Sequence, residues 1–255
     1  EMGVIKKDFL PHDLKPLLQQ NNFDGCVAVQ ADQSEEETML LIELAKKNDF
    51  IKGVVGWVDL KADDIEKKLE HYRTYEAIKG FRHVLQGEKD RKFMLSPQFK
   101  NGIGLLQKNN FTYDILIYPD QLKYTKEFVA AFPEQKFVID HLAKPDIRNG
   151  NSDEWKADIL ALAMFKNVYC KISGMVTEAH WNKWKQNDFV PYIDTVVKAF
   201  GPDRLMFGSD WPACLVAASY KNVVKIVSDY FSSFSKTEQG KIFGENAIQF
   251  YNLRN

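Results

Sequence analysis

Seven short runs rich in Val, Ile and Phe, at 25–31, 51–60, 78–84, 112–118, 136–142, 167–175 and 204–211, are separated by intervals each long enough to hold a helix. Such alternation predicts repeated β/α units on a parallel sheet, because parallel neighbours need a crossover of a dozen residues or more. Helix start signals fall in the intervals. Ser34 precedes Glu35, Glu36 and Glu37, and Asp63 and Asp64 precede Glu66, so acidic groups meet the positive end of the helix dipole. Met39, Ile42, Leu44 and Ala45, like Val196, Val197 and Phe200, recur at helical spacing and predict faces packed on the strands. A chain of 255 residues that is 45% hydrophobic can bury the core of one barrel, so residues 1–255 are expected to form a single domain. The expected fold class is α/β, a (β/α)8 barrel lacking its first strand. A helix over 13–20 precedes the first apolar run, and a closed barrel of eight units would place a strand ahead of that helix. Since the chain opens on Glu1 rather than Met, that strand is expected upstream. Pro145, Asn149, Gly150, Asn151 and Ser152 make 144–153 the expected long loop.

Charge narrows the partners. Lys and Arg number 34 against 35 Asp and Glu, a net charge of −1, so no global field recruits nucleic acid or an anionic membrane. No apolar run reaches the roughly 18 residues that a span requires, and no basic segment followed by an apolar stretch opens the chain. A small, roughly neutral molecule is the expected partner and the cytoplasm the expected location. Cys26, Cys170 and Cys214 are odd in number, widely spaced and set among apolar neighbours, as reduced buried thiols are.

Barrel enzymes work at the C-terminal ends of their strands, so polar residues that close apolar runs are the candidate site. Five runs end this way, at Asp59, at Arg82 and His83, at Asp140 and His141, at Lys171 and Ser173, and at Ser209 and Asp210. Asp210 stands beside Trp211 and Pro212 with no helix expected before about Ser219, which favours a partly desolvated general base over a helix cap. Neighbouring strand residues point to opposite faces, so only one of Asp140 and His141 is expected to face the interior unless the strand ends there. His141 is the preferred one, as a metal ligand or a donor to a developing oxyanion, with Asp140 orienting neighbours behind it. Arg82 suits either a polar ligand or an internal salt bridge, and His83 carries the same ambiguity. His12, His71 and His180 lie in loop or helical contexts.

Three segments together resemble the amidohydrolase superfamily: Val138-Ile139-Asp140-His141-Leu142-Ala143-Lys144-Pro145, Gly208-Ser209-Asp210-Trp211-Pro212 and Gly80-Phe81-Arg82-His83. Phe243-Gly244-Glu245-Asn246-Ala247 resembles the C-terminal helix of the sugar-lactonase-like group in that superfamily. The resemblance implies a metal-dependent-hydrolase type of (β/α)8 TIM barrel that opens lactones of sugar acids, such as L-fuconolactone or L-rhamnonolactone. It implies Asp210 and His141 as catalytic groups, Arg82, His83, Lys144 and Trp211 as substrate-binding groups, and His141 with Asp210 as ligands of one divalent metal such as zinc. Two alternatives stay open, a metal-dependent decarboxylase on the same scaffold and a non-catalytic barrel. The superfamily's first strand ends in His-x-His, and no such pair occurs in this sequence. Both missing features are expected upstream together.

Overall fold

β-branched and aromatic residues set the strands at Cys26–Val29 (β1), Ile51–Gly56 (β2), Ile78–His83 (β3), Thr112–Ile115 (β4), Phe137–Ile139 (β5), Val168–Ile172 (β6) and Leu205–Phe207 (β7). They form one all-parallel sheet in sequence order, β1 to β7, in a computed structural model that describes residues 2–150 and 152–254. Each strand occupies part of an expected run. The polar ends leave the ladder early, most clearly in 136–142 and 204–211, where pairing stops at Ile139 and Phe207. Asn151, in the expected loop, lies outside the described residues.

Helices cross over between strands as the alternation requires. The principal ones are Pro11–Gln20 (α1), Glu35–Lys47 (α2), Ile65–Tyr72 (α3), Pro97–Lys108 (α4), Leu122–Ala130 (α5), Asp153–Leu162 (α6), Met175–Glu178 (α7), Gln186–Phe200 (α8) and Tyr220–Tyr230 (α9). Ser34 caps α2 by accepting from the Glu37 amide at 3.2 Å, and Ser219 caps α9 by accepting from Asn222, where the sequence places that helix's start. No helix among the described residues is long and apolar enough to cross a membrane.

The period of two divides every strand between two environments. Phe81, Tyr113, Ile139, Cys170, Ile172 and Leu205 are buried against the helices in the main core. On the other face, Val55, Val138 and Met206 form a second apolar layer with Phe250 and Tyr251 of the C-terminal helix Asn246–Tyr251. The same face also carries polar side chains, since Arg82 is in register with Asp114 and Lys171 of β6 reaches Asp114 at 2.5 Å. Beyond the strand ends on this side lie His141, Ser173 and Asp210. The C-terminal helix therefore plugs the lower end, a charged layer fills the middle, and the candidate chemistry sits above it. Cys26, Cys170 and Cys214 are free thiols, and burial pushes those of Cys26 and Cys214 up to about 12, so they stay protonated and unreactive.

Candidate active site

His141 and Asp210 face each other across the strand ends, with His141 Nε2 3.7 Å from Asp210 Oδ1 and only 12% and 19% of the side chains exposed. Both residues have left-handed backbone, at φ 54° and 53°. After β5 the left-handed run continues through Leu142, Ala143 and Lys144. Four consecutive non-glycine residues in this region each cost roughly 1–2 kcal/mol, and such strain persists only where surrounding structure imposes it. Here the holding contacts are the Trp155 indole, which donates to the Leu142 carbonyl at 2.7 Å, and full burial of Leu142 and Ala143. The turn has a direct consequence. Because the strand stops at Ile139 and the chain coils left-handed, the side chains of Asp140 and His141 both reach the interior.

His141 Nδ1 lies 2.8 Å from the Ser173 hydroxyl, a partner that the strand-end pattern flagged without assigning a role. Gly174 holds this arrangement open. Its φ is +63°, and a Cβ there would come within 2.7 Å of His141 Cγ and Nδ1. Gly174→Ala is therefore expected to displace the imidazole, destabilising the fold by about 1–2 kcal/mol and lowering turnover by about two orders of magnitude. Full activity in a folded G174A protein would show that the imidazole position is not critical.

Beneath the pair lies a fully packed charged layer. Lys171 Nζ donates to Asp114 Oδ2 at 2.5 Å and makes an ionic contact with Asp140 Oδ1 at 2.7 Å, whose angles fall short of a hydrogen bond. Arg82 Nη1 donates to Asp140 Oδ2 at 2.8 Å and Nη2 to the Gln30 carbonyl, while Tyr251 donates its hydroxyl to Asp114. Both aspartates are wholly buried. Burial acts to raise the Asp140 carboxyl, but the charges of Lys171 and Arg82 prevail and hold it well below the usual carboxylate range. Of the two readings of Arg82, its guanidinium is committed to the internal salt bridge.

His83 is not brought to this group. It lies on the opposite face of β3, stacked on Phe93 at 4.9 Å, with Nε2 2.7 Å from Glu88 and Nδ1 accepting from the Trp57 indole at 3.3 Å. The physical reason is the strand period: Arg82 is inward, so its neighbour is outward. Trp211 is half-buried beside Asp210, after which a cis peptide leads to Pro212, and Phe9 meets its ring edge-on at 5.2 Å. Lys144 Nζ lies 3.7 Å from Glu178 Oε1 and 5.5 Å from the Tyr118 ring centre. Glu178 escaped the sequence reading because it lies beyond the run 167–175, and Tyr118, which ends the run 112–118, because only charged residues, histidine and serine were read as candidates at strand ends.

Burial holds the imidazoles of His83 and His141 below the usual histidine range. Their folded values lie under the unfolded value of about 6.5, so between the two the unfolded chain binds more protons, and stability from these groups falls as pH drops through that window. The urea midpoint measured from pH 7 to pH 5 should fall less steeply in His83→Gln than in the parent. Equal slopes would remove His83 from the account.

The donors available to a metal are His141 Nε2 and Asp210. Among the described residues no group of three His, Cys, Asp or Glu side chains converges, one donor short of the three protein ligands that a catalytic zinc gathers.

The family model described as amidohydrolase matches residues 2–253. L-fucono-1,5-lactonase of Burkholderia multivorans is 38% identical over 99% of this chain and 88% of its own length. A second L-fucono-1,5-lactonase, from Burkholderia ambifaria, is 32% identical over 99% of this chain and 88% of its own length. In structure, a B. multivorans amidohydrolase crystallised with bound zinc superposes with a TM-score of 0.96 at 38% identity, covering 99% of this chain and 92% of that one.

Proposed function

Because this chain belongs to the amidohydrolase family, we propose that it hydrolyses the lactone ring of a sugar acid, L-fuconolactone and L-rhamnonolactone being the first candidates. The observation that carries the reading is the His141–Asp210 gap: at 3.7 Å it is too long for a direct hydrogen bond and suits a bridging water or carbonyl. Decarboxylation is the weaker reading, since both relatives that match 99% of the chain are lactonases.

Ring opening needs a base for water, a donor for the carbonyl oxygen and an acid for the leaving alkoxide. Asp210 takes a proton from water as the water oxygen attacks the lactone carbonyl carbon. With the Ser173 hydroxyl donating to Nδ1, His141 keeps its proton on Nε2 and donates it as a hydrogen bond to the oxyanion. Burial favours this neutral imidazole. Collapse then breaks the bond to the ring oxygen, which recovers the proton from Asp210. The product is a hydroxy acid that ionises at neutral pH. Lys144 and Trp211 line the substrate side, while Arg82 and Asp140 support His141 from below. His83 faces away from this group, packed on Phe93 and within 2.7 Å of Glu88.

The described residues offer two donors where zinc needs three, so the proton transfers fall to the side chains of Asp210 and His141. The seven strands are read as part of a (β/α)8 barrel of one domain over residues 1–255, in which β7 and β1 do not pair among the described residues. The free thiols accord with a cytoplasmic location.

Acid release against a panel of aldonolactones, with zinc added or chelated, tests the reading. Turnover on a 6-deoxy sugar lactone supports it, and silence across the panel in both conditions would refute it.

A further inference from the structure

Most ion pairs of the interior are spent on each other at hydrogen-bond distance, as between Lys171 and Asp114 at 2.5 Å or Arg82 and Asp140 at 2.8 Å. Lys144 and Glu178 are different. Their side chains are 16% and 23% exposed, yet 3.7 Å separates Nζ from Oε1, too far for a hydrogen bond. Among the described residues the one side-chain hydrogen bond to the Glu178 carboxylate is a long one from Thr177, at 3.4 Å, whose hydroxyl also donates to the Gly174 carbonyl at 2.7 Å. A partly desolvated ammonium has three donors to place and a carboxylate about four acceptor sites, so this pair retains much unused hydrogen-bonding capacity. Its position is at the site: Lys144 ends the left-handed turn begun by His141, and Glu178 ends the short helix entered from Gly174, which packs on His141. Beside it lies Tyr118, a residue 40% exposed, with its ring centre 5.5 Å from Lys144 Nζ.

We propose that Glu178, Lys144 and Tyr118 form a polyol-recognition subsite that selects neutral hydroxylated lactones over carboxylate-bearing rings. The inference rests on the lactonase reading and names the substrate class that the same site takes. A hydroxyl group both donates and accepts, so vicinal hydroxyls can donate to Glu178 and accept from Lys144, filling the gap between them. The exposed Tyr118 face covers the C–H side of a sugar ring, an amphipathic contact of the kind tyrosine supplies. Glu178 also cancels the charge of Lys144. A ring bearing carboxylates meets the Glu178 carboxylate beside Lys144, whereas a neutral polyol meets complementary partners, and Glu178 opposes an anionic product once formed.

The test uses a ligand that cannot be hydrolysed, a 1,5-anhydrohexitol, which keeps the ring and hydroxyls of a sugar lactone but lacks its carbonyl. Calorimetric titration should show binding to the parent protein, weakened about tenfold by Glu178→Gln, the loss expected for one hydrogen bond to a charged group. Tyr118→Ala should weaken the same binding, and tetrahydropyran should not bind measurably. In Glu178→Gln, competition by a six-carbon aldonate should become stronger as binding of the neutral polyol weakens. Absence of anhydrohexitol binding to the parent, or equal affinity in both folded variants, would overturn the subsite. Polyol binding that responds to Glu178→Gln in a protein silent on every lactone would leave the subsite standing and reject the hydrolase reading instead.

Discussion

Asp210→Asn is expected to cut lactone turnover by about three to four orders of magnitude while leaving the fold and KM nearly unchanged, the range that removal of a general base produces. The substitution isolates the proton-transfer role for two reasons. Asparagine is isosteric with aspartate, and it is among the few residues that accept the left-handed backbone found at position 210, where φ is 53°. Alanine at the same position would add strain and confuse the outcome. The Asp210 carboxylate caps no helix among the described residues, since α9 takes its cap from Ser219, so no structural hydrogen bond is lost. Steady-state kinetics on the best lactone of the panel, with a thermal melt as control, provides the measurement. Normal turnover in a folded D210N protein would end the proposed role.

Lys171→Met is expected to cost about 3–5 kcal/mol, because it leaves buried carboxylates without their shared cation. Asp114 and Asp140 have no exposed surface, and Lys171 lies within 2.5 Å and 2.7 Å of them. Arg82 can compensate Asp140, while among the described residues Asp114 retains only the Tyr251 hydroxyl. Set against a total stability of about 5–15 kcal/mol, the change is a large fraction of what keeps the chain folded. Urea unfolding at pH 8 should reveal it. The deficit should shrink on acidification. Burial already raises the Asp114 carboxyl with Lys171 in place, and without Lys171 it rises further, so it destabilises more at high pH and ceases to do so once protonated in both states. Adding Asp114→Asn to Lys171→Met should recover part of the loss at pH 8. A K171M protein as stable as the parent would mean that the charged layer contributes nothing.

Much of the architecture was legible because its signals are local. Apolar runs and capping residues such as Ser34 and Ser219 act over a few positions, so strand count, parallel order and helix starts could be read from neighbours in sequence. Strand ends were less legible. The run 136–142 looks continuous, yet it divides at Ile139 between a ladder and a left-handed turn, and nothing in His141-Leu142-Ala143-Lys144 announces positive φ, since no glycine or asparagine is present. Arg82 and His83 show the same limit. The sequence places both at a strand end, but which one faces inward depends on register with β4, where Arg82 meets Asp114.

By itself, then, the sequence determined the family, the alternating parallel architecture, and the position of Asp140, His141 and Asp210 at the strand ends, since residue type and spacing carry that information. Tertiary structure alone decided their arrangement. The Trp155 hydrogen bond and the burial of Leu142 hold the left-handed turn that brings Asp140 and His141 to one side, and Gly174 leaves the space that the imidazole occupies. The same holds for the Lys144–Glu178–Tyr118 cluster, whose members come from three different strand-end segments. Contacts between distant segments depend on how helices and strands pack in three dimensions, and a single sequence records the residues but not the distances between them.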